Sequence, residues 1–274
     1  MTLLLKLLLA PLLVVGSSLA GRRWGAPVAG TLVALPIVAG PILLVTCLEQ
    51  GPQFGARAAS SALLGLVSLA AFTVVFAWCS RRTGWVGALS VAWLVTLALD
   101  LGLARLHLPA FAAFAVVLTT AWLALRAFPP VPGSSSSSSV SSASSASSAP
   151  SGAPVWLWWD LPGRALATAA LVVTVTTAAA TVGPSMTGVL APFPIATSVV
   201  AAFVLAQQGT DGAVRTLQGV PRGLLGFAVF CLLVAVLIER LGTPATFTVA
   251  VTVTLLVQLG WRWTQTRRPA LATD

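Results

Sequence analysis

Acidic side chains are scarce in this chain. Six carboxylates are scattered over 274 residues, and charged residues of both signs make up 8%, against roughly 25% in a soluble domain. A catalytic carboxylate cluster has no material here. His107 is the only histidine, which argues against a histidine-rich metal centre or a histidine-based triad. Cys47, Cys79 and Cys231 lie inside apolar runs with no short spacing between them. They read as small core side chains rather than a disulfide framework or metal ligands. H-E-x-x-H, a P-loop, a strand-borne G-x-S-x-G and a Cys/His pair at metal spacing are all missing. The chain is therefore expected not to be an enzyme and to hold neither metal nor cofactor.

Apolar residues are abundant, at 57% with a mean hydropathy of +0.97. Water would meet far too much hydrophobic surface, so the lipid bilayer is the expected partner. A spanning helix needs about 20 mainly apolar residues. The runs are that long, and they lack period-two alternation, which favours helices over a β-barrel. The net charge of +9 would suggest nucleic acid only as a patch. The arginines instead sit at the ends of apolar runs, as topology determinants do, and no nucleic-acid binding is expected.

Nine spans are predicted. They begin with Leu3 to Leu19 and continue over residues 28–48, 59–79, 85–103, 110–125, 165–182, 187–206, 224–238 and 245–259. The first resembles a signal peptide, with Lys6, a leucine-rich core and Ser18-Leu19-Ala20. Residues 129–154, rich in serine and proline, read as a disordered tether. Val155-Trp156-Leu157-Trp158-Trp159 reads as an aromatic anchor at the headgroups.

One stretch occurs twice. Gly25 to Arg57 aligns without a gap on Gly183 to Arg215 at an offset of 158. Gly30 meets Gly188, Pro36-Ile37 meets Pro194-Ile195, and Gln50-Gly51 meets Gln208-Gly209. The register continues in both directions: Leu13, Val14 and Val15 meet Leu171, Val172 and Val173, while Arg82 and Gly84 meet Arg240 and Gly242. A removable leader has no reason to resemble an internal helix, so the first run is kept as a helix of the mature chain.

Helices one to four correspond to six to nine, with the fifth unpaired. An odd number of crossings between equivalents turns the second copy upside down, as in many secondary transporters. The basic residues agree. Eleven fall on one side (Arg22, Arg23, Arg81, Arg82, Arg126, Arg164, Arg215, Arg222, Arg262, Arg267, Arg268) and four on the other (Lys6, Arg57, Arg105, Arg240). The richer side is cytoplasmic by the positive-inside rule, which places the N-terminus outside and the C-terminus in the cytoplasm. The expected fold is an all-α integral membrane protein of nine transmembrane helices in a 4+1+4 inverted-repeat arrangement. Its parts are a first repeat over 1–106, a linking helix over 107–128, the tether over 129–154, a second repeat over 155–262 and a tail over 263–274. High Ala, Leu, Val and Arg with one Lys suit a bacterial inner membrane.

Candidate functional residues cluster at the prolines of the second and seventh spans. Proline removes a backbone donor and frees a carbonyl, which in lipid must be satisfied by neighbours or line a cavity. Pro36, Gly40 and Pro41 in one half, with Pro192, Pro194, Thr197 and Ser198 in the other, are the candidates for a substrate path, with plain helix kinking and close packing as the favoured reading. Asp100 and its counterpart Gln258 are intramembrane polar candidates, with the helix end and a pairing of Asp100 with Arg105 as the favoured reading. Thr96 and its counterpart Thr254 are expected to serve helix packing. Glu49 and Gln207 read as helix ends, and Lys6 as a snorkelling side chain.

Val28 to Pro36 (VAGTLVALP), its copy Met186 to Pro194 (MTGVLAPFP) and the downstream Gly and Arg spacing resemble the GlpM-like small membrane proteins. The resemblance implies a fused, inverted pair of short four-helix units, and the family name implies a link to exopolysaccharide production. No functional residue carries over from it. The expected function is a small transporter or permease-like protein for a small-molecule or lipid-like substrate. A membrane scaffold or accessory subunit for envelope or polysaccharide assembly is the alternative, and either admits a homo-oligomer.

Overall fold

The computed structural model describes residues 2–33, 39–106, 108–130, 160–182 and 193–266. The described residues are almost wholly helical. The first half holds α1 (Thr2–Trp24), α2 (Ala26–Val33), α3 (Ala39–Gln50), α4 (Pro52–Cys79) and α5 (Trp85–Leu103). Then come α6 (Ala110–Ala127) and, in the second half, α7 (Asp160–Val182), α8 (Ile195–Leu217), α9 (Val220–Leu241) and α10 (Thr243–Thr266).

The repeat is visible in the element bounds. Shifting α1 by 158 gives the bounds of α7, and shifting α3 and α5 gives segments contained in α8 and α10. The counterpart of α4 runs from Thr210 through α9. Gln218, still right-handed helical at φ −60°, ψ −21°, helps to keep that stretch continuous.

Four helices are long and apolar enough to cross a membrane: α4, α5, α6 and α9. Leu161–Thr174 and Thr243–Gln258 are apolar but shorter. Nine such spans are not found among the described residues, which corrects the expected count. Within the second predicted span the described residues belong to α2 and α3, and residues 34–38 lie outside the described residues. The seventh begins only at Ile195, because Pro194 (φ −74°, ψ 47°) stands outside the helical region just before it. The predicted tether over 129–154 lies almost entirely outside the described residues, and so does the aromatic anchor.

The core is built on α4 and α9, the most extensively packed pair. Leu63, Leu66, Phe72, Phe76, Leu224 and Phe230 are all essentially inaccessible. Burial of such side chains contributes about 1.5–3 kcal/mol each relative to exposure in water. In lipid the gain comes instead from close packing. The two helices run antiparallel. Gly55, in the first turn of α4, faces Ile238, in the last turn of α9, so closely that an added Cβ would lie 3.0 Å from Ile238 Cδ1. At the other end Thr210 Oγ1 donates to the carbonyl of Ser80, the C-cap of α4, over 3.2 Å. The helices α1 and α7 are also antiparallel, since Arg164 near the start of α7 reaches Ser18 near the end of α1.

Pairings outside the centre match as well. The contact of α4 with α5 has its counterpart in α9 with α10, and that of α5 with α8 in α10 with α3. Unpaired α6 lies against both α4 and α9. The Trp78 indole N–H donates to the Ala127 carbonyl over 2.8 Å, joining the last residues of α4 and α6, which therefore run in the same direction.

Candidate functional site

The helix breaks are the first candidate. Pro36 and Pro192 lie outside the described residues. Pro41 is within the first turn of α3, and Pro194 stands immediately before α8. A proline in a first helical turn costs little, because its missing N–H would have had no partner there. Pro194 therefore precedes a helix instead of kinking one midway; what precedes Ala39 lies outside the described residues.

The residues just after each break are buried against the opposite half. Gly40 is buried, and a Cβ there would meet Phe230 of α9 at 3.6 Å. Thr197 and Ser198 are buried in the first turn of α8. Ser198 accepts a hydrogen bond from the Trp93 indole N–H of α5 at 2.8 Å. The Trp93 ring also stands edge-on to Phe193, with centroids 5.6 Å apart. Each interrupted segment is therefore walled by a long helix from the other copy.

Asp100 is the second candidate, and its environment differs from the expected one. It is 1% exposed, while Arg105 is exposed beyond the end of α5. The carboxylate turns inward to α4. Its Oδ1 lies 2.5 Å from Ser68 Oγ, which is itself 2.8 Å from the Gly65 carbonyl oxygen. Oδ2 is buried with no hydrogen-bond partner. The inward face of α5 repeats every fourth residue as Ala88, Ala92, Thr96 and Asp100, so the helical period points Asp100 at α4. Small residues at the first three positions let the two helices approach closely.

The matched place in the second half holds a neutral group. Gln258 corresponds to Asp100, and Gly226 to Ser68. The Gln258 amide lies over Gly226, filling the place a Cβ would take, and Nε2 donates to the Gly223 carbonyl at 3.4 Å. Gly223 is the counterpart of Gly65. The same cross-helix contact is thus made once with a carboxylate and a serine, and once with an amide and a glycine.

Thr96 donates back to Ala92 within its own helix at 2.8 Å, and the buried hydroxyl of Thr254 has no partner. Neither threonine bridges two helices by a hydrogen bond, in keeping with packing. The third polar cluster is at Arg164, read from sequence as a charge at a helix end. It is 1% exposed, the largest fully buried side chain among the described residues. Nη1 donates to Ser18 Oγ at 3.3 Å and Nη2 to Gln207 Oε1 at 3.1 Å, with the guanidinium 5.1 Å from the Phe203 ring centroid. The side chains of its counterpart Lys6 and of Glu49 lie outside the described set.

Ser68 and Trp93 were not singled out from sequence. The offset of 158 held a signal for Ser68, since it carries Asp100 and Ser68 together onto Gln258 and Gly226. Among the described residues, no group of three or more His, Cys, Asp or Glu could hold a metal ion. Cys47 and Cys231 are buried and unpaired, and Cys79 is partly buried. No family model, no curated protein and no solved structure matches the chain.

Proposed function

We propose that this chain is a small permease of two inversely oriented halves, joined through α6, with a path for a small or lipid-like molecule where the interrupted segments meet the opposite half. The carrying observation is the exchange of walls. Gly40 in the first copy abuts Phe230 in the second, and Ser198 in the second is held by Trp93 in the first. A helix interruption is tolerated in lipid only where it is enclosed by protein or lines water. Prolines at matched sequence positions, beside residues enclosed by each other's halves, suit an arrangement that rocking of one half against the other can open in turn to each side.

The antiparallel central pairs support the inverted sense. A two-fold axis along the membrane normal would make α4 and α9 parallel, whereas an axis in the membrane plane makes them antiparallel. The basic residues support the same reading. The contacts Ser18–Arg164–Gln207 and Thr210–Ser80 join elements bearing Arg22, Arg81 and Arg215. Arg57 and Arg240 share the opposite end with Gly55 and Ile238. With the first end cytoplasmic, the inner membrane of a bacterium is the proposed location.

Two measurements test this reading. Reporter fusions in the turns at Gln50-Gly51 and Gln208-Gly209 should report opposite sides of the membrane. The same side for both sinks the inverted arrangement. Single cysteines at Gly40 and Ser198, in a chain whose three native cysteines are replaced, should react with a small hydrophilic thiol reagent despite their burial. Complete silence at both positions from either side removes the path and favours the scaffold or accessory reading.

A further inference from the structure

The contact between Asp100 and Ser68 contains one hydrogen-bond place more than its hydrogens fill. Ser68 Oγ is close to both Asp100 Oδ1 and the Gly65 carbonyl oxygen, at 2.5 and 2.8 Å. A hydroxyl has one hydrogen to donate, and neither a carbonyl nor an ionised carboxylate has any. With Asp100 ionised the one hydrogen must be shared between two acceptors, whereas a proton on Asp100 makes each contact a full two-centre hydrogen bond. Asp100 then donates to Ser68, and Ser68 donates to Gly65. When the proton leaves, the Ser68 hydrogen turns to Oδ1. The carboxylate keeps one donor, and Oδ2 has none.

Burial makes the two states matter. Ser68 lies close to the middle of the 28-residue α4. Asp100 is three residues before Leu103, the end of α5, roughly 4–5 Å along the axis, but it is 1% exposed and its carboxyl turns inward to Ser68. A buried carboxylate with a single donor is costly, and a neutral acid much less so. Charged groups on the neighbouring elements do not relieve it. In α4 the only one is Arg57, eleven positions before Ser68, or roughly 16 Å along the helix. In α8 they are Asp211 and Arg215, in the part of the helix that meets Ser80. Arg105, after α5, is exposed.

We propose that Asp100 with Ser68 is a proton-binding site inside the membrane-spanning part of the protein, loaded and unloaded once per chain as the fold opens to water on one side and then the other. Loading forms one O–H bond at Oδ1 with a proton from water, and unloading returns that proton to water. No other reactant takes part. The counterpart Gln258 cannot ionise, so one half carries the site and the other carries its permanently neutral form. Asp100 and Trp93 share α5, two turns apart, so a rearrangement around the acid is transmitted to the hydrogen bond that holds Ser198 beside the break in α8. As a coupling proton the site rests on the permease reading.

The test uses the full chain in lipid vesicles with no substrate. Infrared spectra are taken as the buffer is stepped between about pH 5 and pH 9, a range that brackets the charge change of a perturbed carboxyl. A protonated-acid carbonyl band should be present at the acid end, shift in heavy water, disappear at the alkaline end and be absent from Asp100→Asn. Asp211→Asn should retain it. Ser68→Ala should move its midpoint, which a purely space-filling role for Ser68 would leave in place. A band that never changes with pH, or one that survives in Asp100→Asn, overturns the site.

Because Asp100→Asn could fail to fold, the unmodified chain is also treated with dicyclohexylcarbodiimide. The acid proton passes to a carbodiimide nitrogen as the carboxyl oxygen bonds to the central carbon, so the whole reagent is added. Peptide mass mapping should place the adduct on Asp100, with less of it as the pH rises. An unlabelled Asp100 across the range overturns the proposal. Since neither experiment needs transport, a proton site found together with silent cysteines at Gly40 and Ser198 would retire the permease reading alone.

Discussion

Gly51 and Gly209 share one unusual backbone conformation and sit at opposite ends of α4. Their dihedrals are φ 89°, ψ 167° and φ 73°, ψ −173°. Gly51 is the N-cap of α4, while Gly209 precedes Thr210, which is hydrogen-bonded to the C-cap Ser80. The two copies thus make the same sharp entry into their central helix at opposite ends of the bundle. Positive φ with extended ψ is a region that glycine alone enters without strain.

Alanine at either glycine should therefore destabilise by similar amounts, of order 1–3 kcal/mol. The added methyl group meets nothing within 4 Å at either position, so the cost is purely backbone strain. Gly102 provides the control: it too has open space around it, but it lies inside α5 with no positive φ. Gly102→Ala should be neutral or stabilising by about 0.5–1 kcal/mol. Denaturation of purified protein in a mild detergent reads all three. A clear inequality between Gly51→Ala and Gly209→Ala would mean that the matched backbone does not reflect a matched role.

The two versions of the α4–α5 contact should be exchangeable as pairs but not singly. Asp100→Gln alone pushes a longer side chain onto Ser68, and Ser68→Gly alone leaves the Asp100 carboxyl without its one partner. A buried polar group stripped of its partner costs about 1–3 kcal/mol. The double substitution rebuilds the Gln258–Gly226 arrangement and should recover most of the loss. The check is a double-mutant cycle on thermal stability, with a favourable interaction energy of about 0.5–3 kcal/mol expected for residues in contact. Simple additivity would mean that the halves are not interchangeable at this place.

The helical character, and four helices long and apolar enough to cross a membrane, were legible because they are written in composition and run length. The matching bounds of α1 and α7 were legible because proline, glycine and arginine stay in register at an offset of 158. The environment of Asp100 was not legible. Position along its own helix suggested an end, with Arg105 a turn away. What decides burial is the partner helix, and the Ala88, Ala92, Thr96 face lets α5 come close enough for the carboxylate to reach Ser68. Span counting failed for a related reason. Hydropathy averages over a window and cannot see that Pro194 stands outside the helix that begins at Ile195. Arg164 was counted as a loop charge because sequence shows a helix end but not the α1 and α8 side chains that enclose it.

That enclosure makes Arg164 a strong point of the fold. Arg164→Lys keeps the charge but cannot hold Ser18 and Gln207 at once, since the planar fork is lost. A loss of about 0.5–1.5 kcal/mol is expected from the weakened hydrogen bonding. Arg164→Met should cost less than Arg164→Ala, because the long stem over Phe203 is retained while the charge is removed. Thermal denaturation of the three variants orders them. If Lys equals the native residue, the two hydrogen bonds contribute nothing measurable.

The bond from Trp93 to Ser198 gives the last prediction, and it separates packing from polar linkage. Trp93→Phe keeps a ring against Phe193 but removes the indole N–H, and Ser198→Ala removes the acceptor while keeping the small volume that the start of α8 requires. Each single change should weaken the association of α5 with α8 by about 0.5–1.5 kcal/mol, the net contribution of a typical hydrogen bond. The pair should cost hardly more than one, since the second change breaks nothing new. Limited proteolysis at the α8 start, next to Phe193 and Pro194, is the local readout: both singles and the double should expose it equally. If Trp93→Phe leaves cleavage unchanged while Trp93→Ala increases it, the ring alone seals the break, and the hydrogen bond cannot be what ties α5 to the start of α8.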